Sequence, residues 1–290
     1  MCSLTRSGRS LDPRCPVYAH IAGLRAVAFS PCGQRLATGG EDQKVILWDV
    51  QTGRAVLVLQ GHTEWGIRAI GTVHSVSFSA TGARVACGNW DGSICVWDAT
   101  TGELLWTIHV WDRVEWVQFS PTDSESLTAV TILSEGLDAV SQWNVSSRER
   151  IRRFDGQRFA VYSPDGRTMA TAGAPGTHDV LLFDAATGAL RLRITSPQNE
   201  VMLATFSPDG SKLASACADK ALEVWDSSTG ALLHTFEIPA GPCSVSWGRD
   251  WVLDMQRLVA FAMGQHPRLG AGTQVFGLDE ELLRMVLGRT

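Results

Sequence analysis

One pattern recurs five times along this 290-residue chain, and that recurrence restricts the fold more than any other feature. Its clearest copy runs from Phe206 to Gly230. Ser207-Pro208-Asp209-Gly210 predicts a tight turn, because proline presets φ, aspartate bonds its own backbone and glycine takes positive φ. Leu213 to Cys217 has the length and apolarity of a strand, and Asp219-Lys220 predicts a second turn. Leu222, Val224 and Trp225 give the next strand its β-branched and aromatic character. Thr229-Gly230 turns the chain again before Leu232, Leu233 and Phe236. Three turns between four apolar runs predict a four-stranded antiparallel meander.

The other copies open at Phe29, Phe78, Phe119 and Tyr162, each followed by serine. They close at Trp48-Asp49, Trp97-Asp98, Trp143-Asn144 and Phe183-Asp184, with Trp225-Asp226 ending the fifth. The closing aromatics lie 40 to 49 residues apart. A repeat of about 40–45 residues with a Trp-Asp ending is the mark of propeller blades, each of which needs its neighbours to bury its faces. Over residues 14–247 the chain resembles the WD-repeat family. The resemblance implies an all-β fold: a β-propeller of five complete four-stranded blades plus a partial sixth, followed by a short helical C-terminal tail. The blades are expected at 24–59, 73–108, 113–154, 157–194 and 200–237, with Cys243 to Trp247 opening the sixth. Residues 1–13 are polar and expected to be disordered. The strand-like segment 14–18 is expected to join the sixth blade and close the ring.

Two stretches keep alternatives open. Residues 66–72 interrupt a family-like opening, Gly61-His62-Thr63-Glu64-Trp65 followed by Val73, and read either as a loop extension or as a translated intron remnant. Residues 248–290 carry a helical stripe, Val252, Met255, Val259 and Met263, and an N-cap at Asp279. They read as helix–loop–helix or as a degenerate sixth blade.

In the family a blade is braced by a buried relay of histidine, aspartate, hydroxyl and indole, which satisfies groups that cannot be left unpaired. Blade one matches every member with His20, Thr38, Asp42 and Trp48. Blade two keeps His62, Asp91 and Trp97, with Cys87 for the hydroxyl, and blade five keeps Ser215, Asp219 and Trp225. Blade four offers Thr171 and Asp179, with Phe183 for the indole. Lifted from context these sets look like catalytic triads; in a repeat they are structural.

Charge and cysteine content narrow the function. With 25 Lys+Arg against 30 Asp+Glu the net charge is −5, no basic run stands out, and a nucleic-acid backbone is not the expected partner. Seven scattered cysteines without a C-x-x-C read as reduced thiols of a cytoplasmic or nuclear protein, with no metal or other cofactor. Neither a signal peptide nor a membrane-length apolar run is present. No nucleophile elbow, P-loop, zincin or calcium-loop motif occurs, so the chain is expected to be non-enzymatic.

The family also indicates which residues point to the partner-binding face. They lie six and four positions before the first-strand aromatic and one before the turn aspartate. They map to Arg25, His74, Arg113, Glu115, Arg158, Glu200 and Met202, to Glu41, Trp90 and His178, and to Trp65 once the insertion is discounted. Trp and Arg are enriched at binding hot spots. Trp90, in an Asn-Trp-Asp-Gly turn, has no evident packing role. The expected function is a protein–protein interaction scaffold. The alternative is a substrate receptor of a ubiquitin ligase, from the F-box-like stretch Leu278 to Leu287.

Overall fold

The computed structural model describes residues 20–59, 71–110, 112–132, 138–173, 176–197, 200–218 and 221–237, and every element among them is a strand. Blade one is β1 Leu24–Phe29, β2 Arg35–Gly40, β3 Val45–Asp49 and β4 Ala55–Leu59. Blade two is β5 Val73–Phe78, β6 Arg84–Asn89, β7 Ser93–Asp98 and β8 Leu104–His109. Blade three is β9 Arg113–Phe119, β10 Ser126–Ile132, β11 Ala139–Asn144 and β12 Glu149–Asp155. Blade four is β13 Phe159–Tyr162, β14 Thr168–Ala172, β15 Asp179–Asp184 and β16 Leu190–Thr195. Blade five is β17 Val201–Phe206, β18 Lys212–Cys217, β19 Ala221–Asp226 and β20 Leu232–Glu237. Each blade is a four-stranded sheet with its strands paired antiparallel in chain order. Five such sheets form a β-propeller, and the observed blade limits fall within about two residues of those expected. The proposed closing strand at 14–18, the sixth-blade opening at 243–247 and the tail at 248–290 lie outside the described residues.

Burial follows position in the blade. The middle strands pack on both faces and are buried almost throughout, as in β2, β7 and β19. The outer strands β12 and β20 are mostly exposed. Apolar clusters run across the seams: Ala37, Leu47 and Leu59 of blade one meet Val73, Val76 and Trp97 of blade two. Trp106 of blade two meets Val117 and Trp143 of blade three. The approach is tight enough to dictate composition. A Cβ on Gly39 would lie 2.3 Å from Cγ1 of Val73, and one on Gly88 would lie 2.5 Å from Cγ1 of Val114.

The recurring aspartate after the blade aromatic shapes the turn into the outer strand. Asp226 Oδ1 accepts the Ser228 N–H at 3.0 Å and the Thr229 N–H at 2.8 Å, and Gly230 closes the turn at φ 74°. Asp184 does the same with Ala186 and Thr187. Ser228 and Thr229 hold the Asp226 carboxyl down to about 2, and Thr187 with Arg191 holds that of Asp184 down to about 2. In blade three Asn144 keeps the acceptor, taking the Ser147 N–H at 2.8 Å. The glycine position is then filled by Arg148 at φ 62°, where the other blades have Gly53, Gly102, Gly188 and Gly230.

Candidate functional site

The residues expected to be structural separate cleanly by blade. In blade one the relay is complete: Trp48 Nε1 donates to Thr38 Oγ1 at 2.8 Å, Thr38 Oγ1 meets His20 Nε2 at 2.8 Å, and His20 Nδ1 meets Asp42 Oδ1 at 2.7 Å. The donor order fixes a consistent tautomer. Nδ1–H faces the carboxylate, and Nε2 accepts the threonine hydroxyl. Burial pushes the Asp42 carboxyl up, but the hydrogen bonds from His20 and from the Ile21 N–H outweigh it and hold it below its ordinary value.

In the other blades the described residues show only parts of such a relay. Trp225 Nε1 donates to Ser215 Oγ at 2.9 Å in blade five, while Asp219 lies outside the described residues. The buried carboxylate there is Glu223, which accepts from Ser196 Oγ at 2.9 Å and, at 3.4 Å, from Ser215 Oγ and Cys217 Sγ. Its sequence signal was available: strand alternation places Glu223 on the same face as Ala221 and Trp225. In blade four Asp179 is not the relay acid. It accepts from Thr195 Oγ1 at 2.7 Å, and Thr171 donates instead to Gln157 Oε1 at 2.6 Å. Having Phe183 in place of an indole removed the donor that a relay would have served. In blade two Asp91 accepts from the backbone and hydroxyl of Ser93, and His62 lies outside the described residues.

The expected partner-binding residues converge for a backbone reason. The carbonyl six positions before the first-strand aromatic accepts the N–H of the residue before the turn aspartate. Gly23 O takes Glu41 N–H at 2.8 Å, Thr72 O takes Trp90 N–H at 3.0 Å, and Glu200 O takes Ala218 N–H at 3.0 Å. This bond pins both positions at one end of blades one, two and five. Thr72, within the seven residues read as an insertion, holds the strand-entry position in blade two, and Trp65, assigned to it once the insertion is discounted, lies outside the described residues.

Around Trp90 the side chains form one continuous surface. The Trp90 ring is 48% exposed. The Arg113 guanidinium carbon lies 4.3 Å from its ring centre, and the His74 ring lies 5.1 Å away at 38°. Trp90 is therefore packed, contrary to the sequence expectation, and its neighbours come from two blades. Arg113 Nε meets Glu115 Oε1 at 2.6 Å, and His74 Nδ1 lies 3.4 Å from Glu115 Oε2. Burial pushes the Glu115 carboxyl up; the His74 hydrogen bond and charge, with Arg113 and Arg25, outweigh it and hold it down. On one side Arg25 Nε donates to Glu41 at 2.9 Å. On the other, Arg158 Nε meets Asp138 Oδ2 at 3.2 Å and its Nη1 pairs with Glu200. Burial raises the Asp138 carboxyl, with Arg158 opposing it. Met202 is 47% exposed on β17, and His178 is half-buried at the blade-four turn. Asp138 was missed by sequence reading; its signal was an acid at the head of the apolar strand Ala139–Trp143. Among the described residues no cluster of His, Cys, Asp and Glu is placed to hold a metal ion.

This geometry presents a half-exposed aromatic residue flanked by charge pairs of adjoining propeller blades. Segments 13–49, 53–98 and 192–226 match the WD domain, G-beta repeat family. They span the three blades that retain Trp-Asp. The chain is 24% identical to Periodic tryptophan protein 2 of Arabidopsis thaliana over 75% of its own length and 23% of that protein. It is 25% identical to the Dictyostelium discoideum homolog over 71% of its length and 17% of that protein. A segment covering 14% of the chain and 6% of the relative is 46% identical to the general transcriptional corepressor TUP1 of Saccharomyces cerevisiae. The chain thus spans less than a quarter of the length of these relatives. It carries WD repeats in those three segments. The F-box-like stretch 278–287 lies outside the described residues.

Proposed function

We propose that this chain is a non-enzymatic scaffold that binds partner proteins through the face around Trp90. The observation that carries this reading is the continuity of that face across blades one to five. A half-exposed tryptophan held between His74 and Arg113 is a pre-ordered anchor, which loses little side-chain freedom on binding. The flanking pairs Arg25–Glu41 and Arg158–Glu200 offer both signs of charge, suited to a protein surface more than to a single-sign polymer. WD repeats are shared with relatives such as WD repeat-containing protein 1 of Gallus gallus, 29% identical over 32% of this chain. The setting is read as reducing and intracellular from the seven scattered cysteines, which include no C-x-x-C.

The test is quantitative affinity capture from cell extract with the parent chain and Trp90→Ala. Proteins recovered with the parent should be depleted about tenfold or more with the variant. The variant should melt with the parent, because Trp90 lies outside the blade core. Undiminished recovery by a folded variant would remove this face from the account.

A further inference from the structure

The rim of the propeller carries a feature that the face around Trp90 does not explain. Blade three's outer strand, β12, with the residue before it reads Arg148-Glu149-Arg150-Ile151-Arg152-Arg153-Phe154-Asp155 in a chain of net charge −5. Arginines could merely block a sheet edge against aggregation. Of the other outer strands, β4, β8 and β20 (AVLVL, LLWTIH and LLHTFE) contain no lysine or arginine, while β16 (LRLRIT) contains two, Arg191 and Arg193, which pair with Asp184 and Asp179 of their own blade. Arginines therefore occur on two of the five outer strands, and those of β16 are matched by acids of their own blade whereas most of those on blade three are not.

Two further observations point to a ligand. Arg148 sits at φ 62°, at the turn position that the other blades give to glycine. A non-glycine residue in this region is costly, so the position retains a side chain against its backbone preference. In addition, Arg148, Arg150 and Arg152 form no ion pair among the described residues. Arg148 Nη2 donates to the Leu105 carbonyl, Arg150 lies 5.8 Å from the Trp143 ring centre, and Arg152 Nη1 donates to Gln142 and Ala185. β12 ends its sheet, so among the described residues its outward backbone edge has no strand beside it.

We propose that β12 is a docking edge for an acidic, extended segment of a partner protein, which adds to blade three as a fifth strand. Main-chain hydrogen bonds to the free edge supply binding that does not depend on side chains. Arg148 and Arg150 receive the carboxylates of the segment, and Arg153, paired with Asp155 at 2.6 Å, is placed to exchange that partner for one of them. Ile151, 46% exposed, and Leu190 on the neighbouring rim, 51% exposed, receive its apolar residues. A nucleic-acid backbone fits less well, because Glu149 and Asp155 would oppose its phosphates and the exposed aliphatics would have no counterpart.

The probe is a fluorescent, end-capped peptide alternating glutamate and valine, about ten residues long to span one edge, titrated into the full chain by anisotropy. Saturable binding is expected, with about tenfold loss for Arg150→Glu combined with Arg153→Glu. N-methylation of the peptide's valines, which removes alternate backbone donors, should weaken it comparably. Trp90→Ala should leave this binding unchanged, which separates the rim from the Trp90 face. Arg148→Gly gives a variant whose folding is not in question: melting should rise while the peptide weakens. Absence of saturable binding, an N-methylated peptide as strong as its parent, a uridine homopolymer that binds more tightly than the peptide, or a stabilised Arg148→Gly chain with undiminished affinity would each overturn the proposal.

Discussion

Blades one and three solve the same problem in opposite ways. Blade one satisfies its buried polar groups within one sheet and its strand-entry loop, through Trp48, Thr38, His20 and Asp42. Blade three has Ala129 where blade one has Thr38, and the buried Trp143 indole N–H has no hydrogen-bond partner among the described residues. Its polar bonding is with blade four instead. Tyr162 OH meets Thr128 Oγ1 at 2.7 Å and accepts from Gln142 Nε2 at 3.1 Å, and Arg152 bonds both Gln142 and the Ala185 carbonyl. A blade can thus lose its internal relay if its neighbour supplies the partners. The freed outer strand can then carry side chains chosen for the surface.

The largest effect that would break this contrast is Trp48→Ala, expected to cost about 3–5 kcal/mol through the cavity it leaves. Thr38 is not orphaned by that change, since His20 Nε2 and the Ile46 carbonyl still face it. Denaturant titration measures the loss, and a cost below about 1 kcal/mol would contradict the buried role of Trp48. Next, Tyr162→Phe should cost about 1–3 kcal/mol by leaving Thr128 and Gln142 short of a partner. The contrast sharpens with a paired substitution. Trp48→Phe should cost about 1 kcal/mol more than Trp143→Phe, because only the first indole N–H is bonded. Equal costs would show that the relay contributes nothing beyond packing. Arg148→Gly should gain about 1 kcal/mol by relieving a left-handed backbone, read from the same titration.

The smallest effect is acid dependence. The Asp184 and Asp226 carboxyls lie at about 2 in the folded chain, below their ordinary 3.8. A depressed folded value means that their stabilisation is present above pH about 4 and is lost as pH falls toward 2. Asp226→Asn keeps the acceptor without the titration, as Asn144 does in blade three. It should flatten the fall of melting temperature over that window; an unchanged slope would remove Asp226 from the acid response.

Much of this was legible in sequence because repetition exposes what one unit hides. The turns, the strand limits and blade one's relay follow from residue types whose backbone and hydrogen-bonding roles are local. Transfers between blades were not legible. Nothing in a single repeat says that Tyr162 serves blade three, or that Gln157 replaces a histidine for Thr171. Charge averaged over the chain also concealed the arginines of β12. The packing of Trp90 depends on His74 and Arg113 being brought beside it by two blade entries, which only the assembled propeller shows.

The scaffold reading is tested most directly by hydrogen–deuterium exchange of the intact chain alone and with a captured partner. Protection should concentrate in segments carrying Thr72–Gly92, Arg113–Glu115 and Arg158, with Trp90 central. Protection confined to the opposite turns around Pro31, Pro164 and Pro208, with the Trp90 segment unchanged, would contradict it.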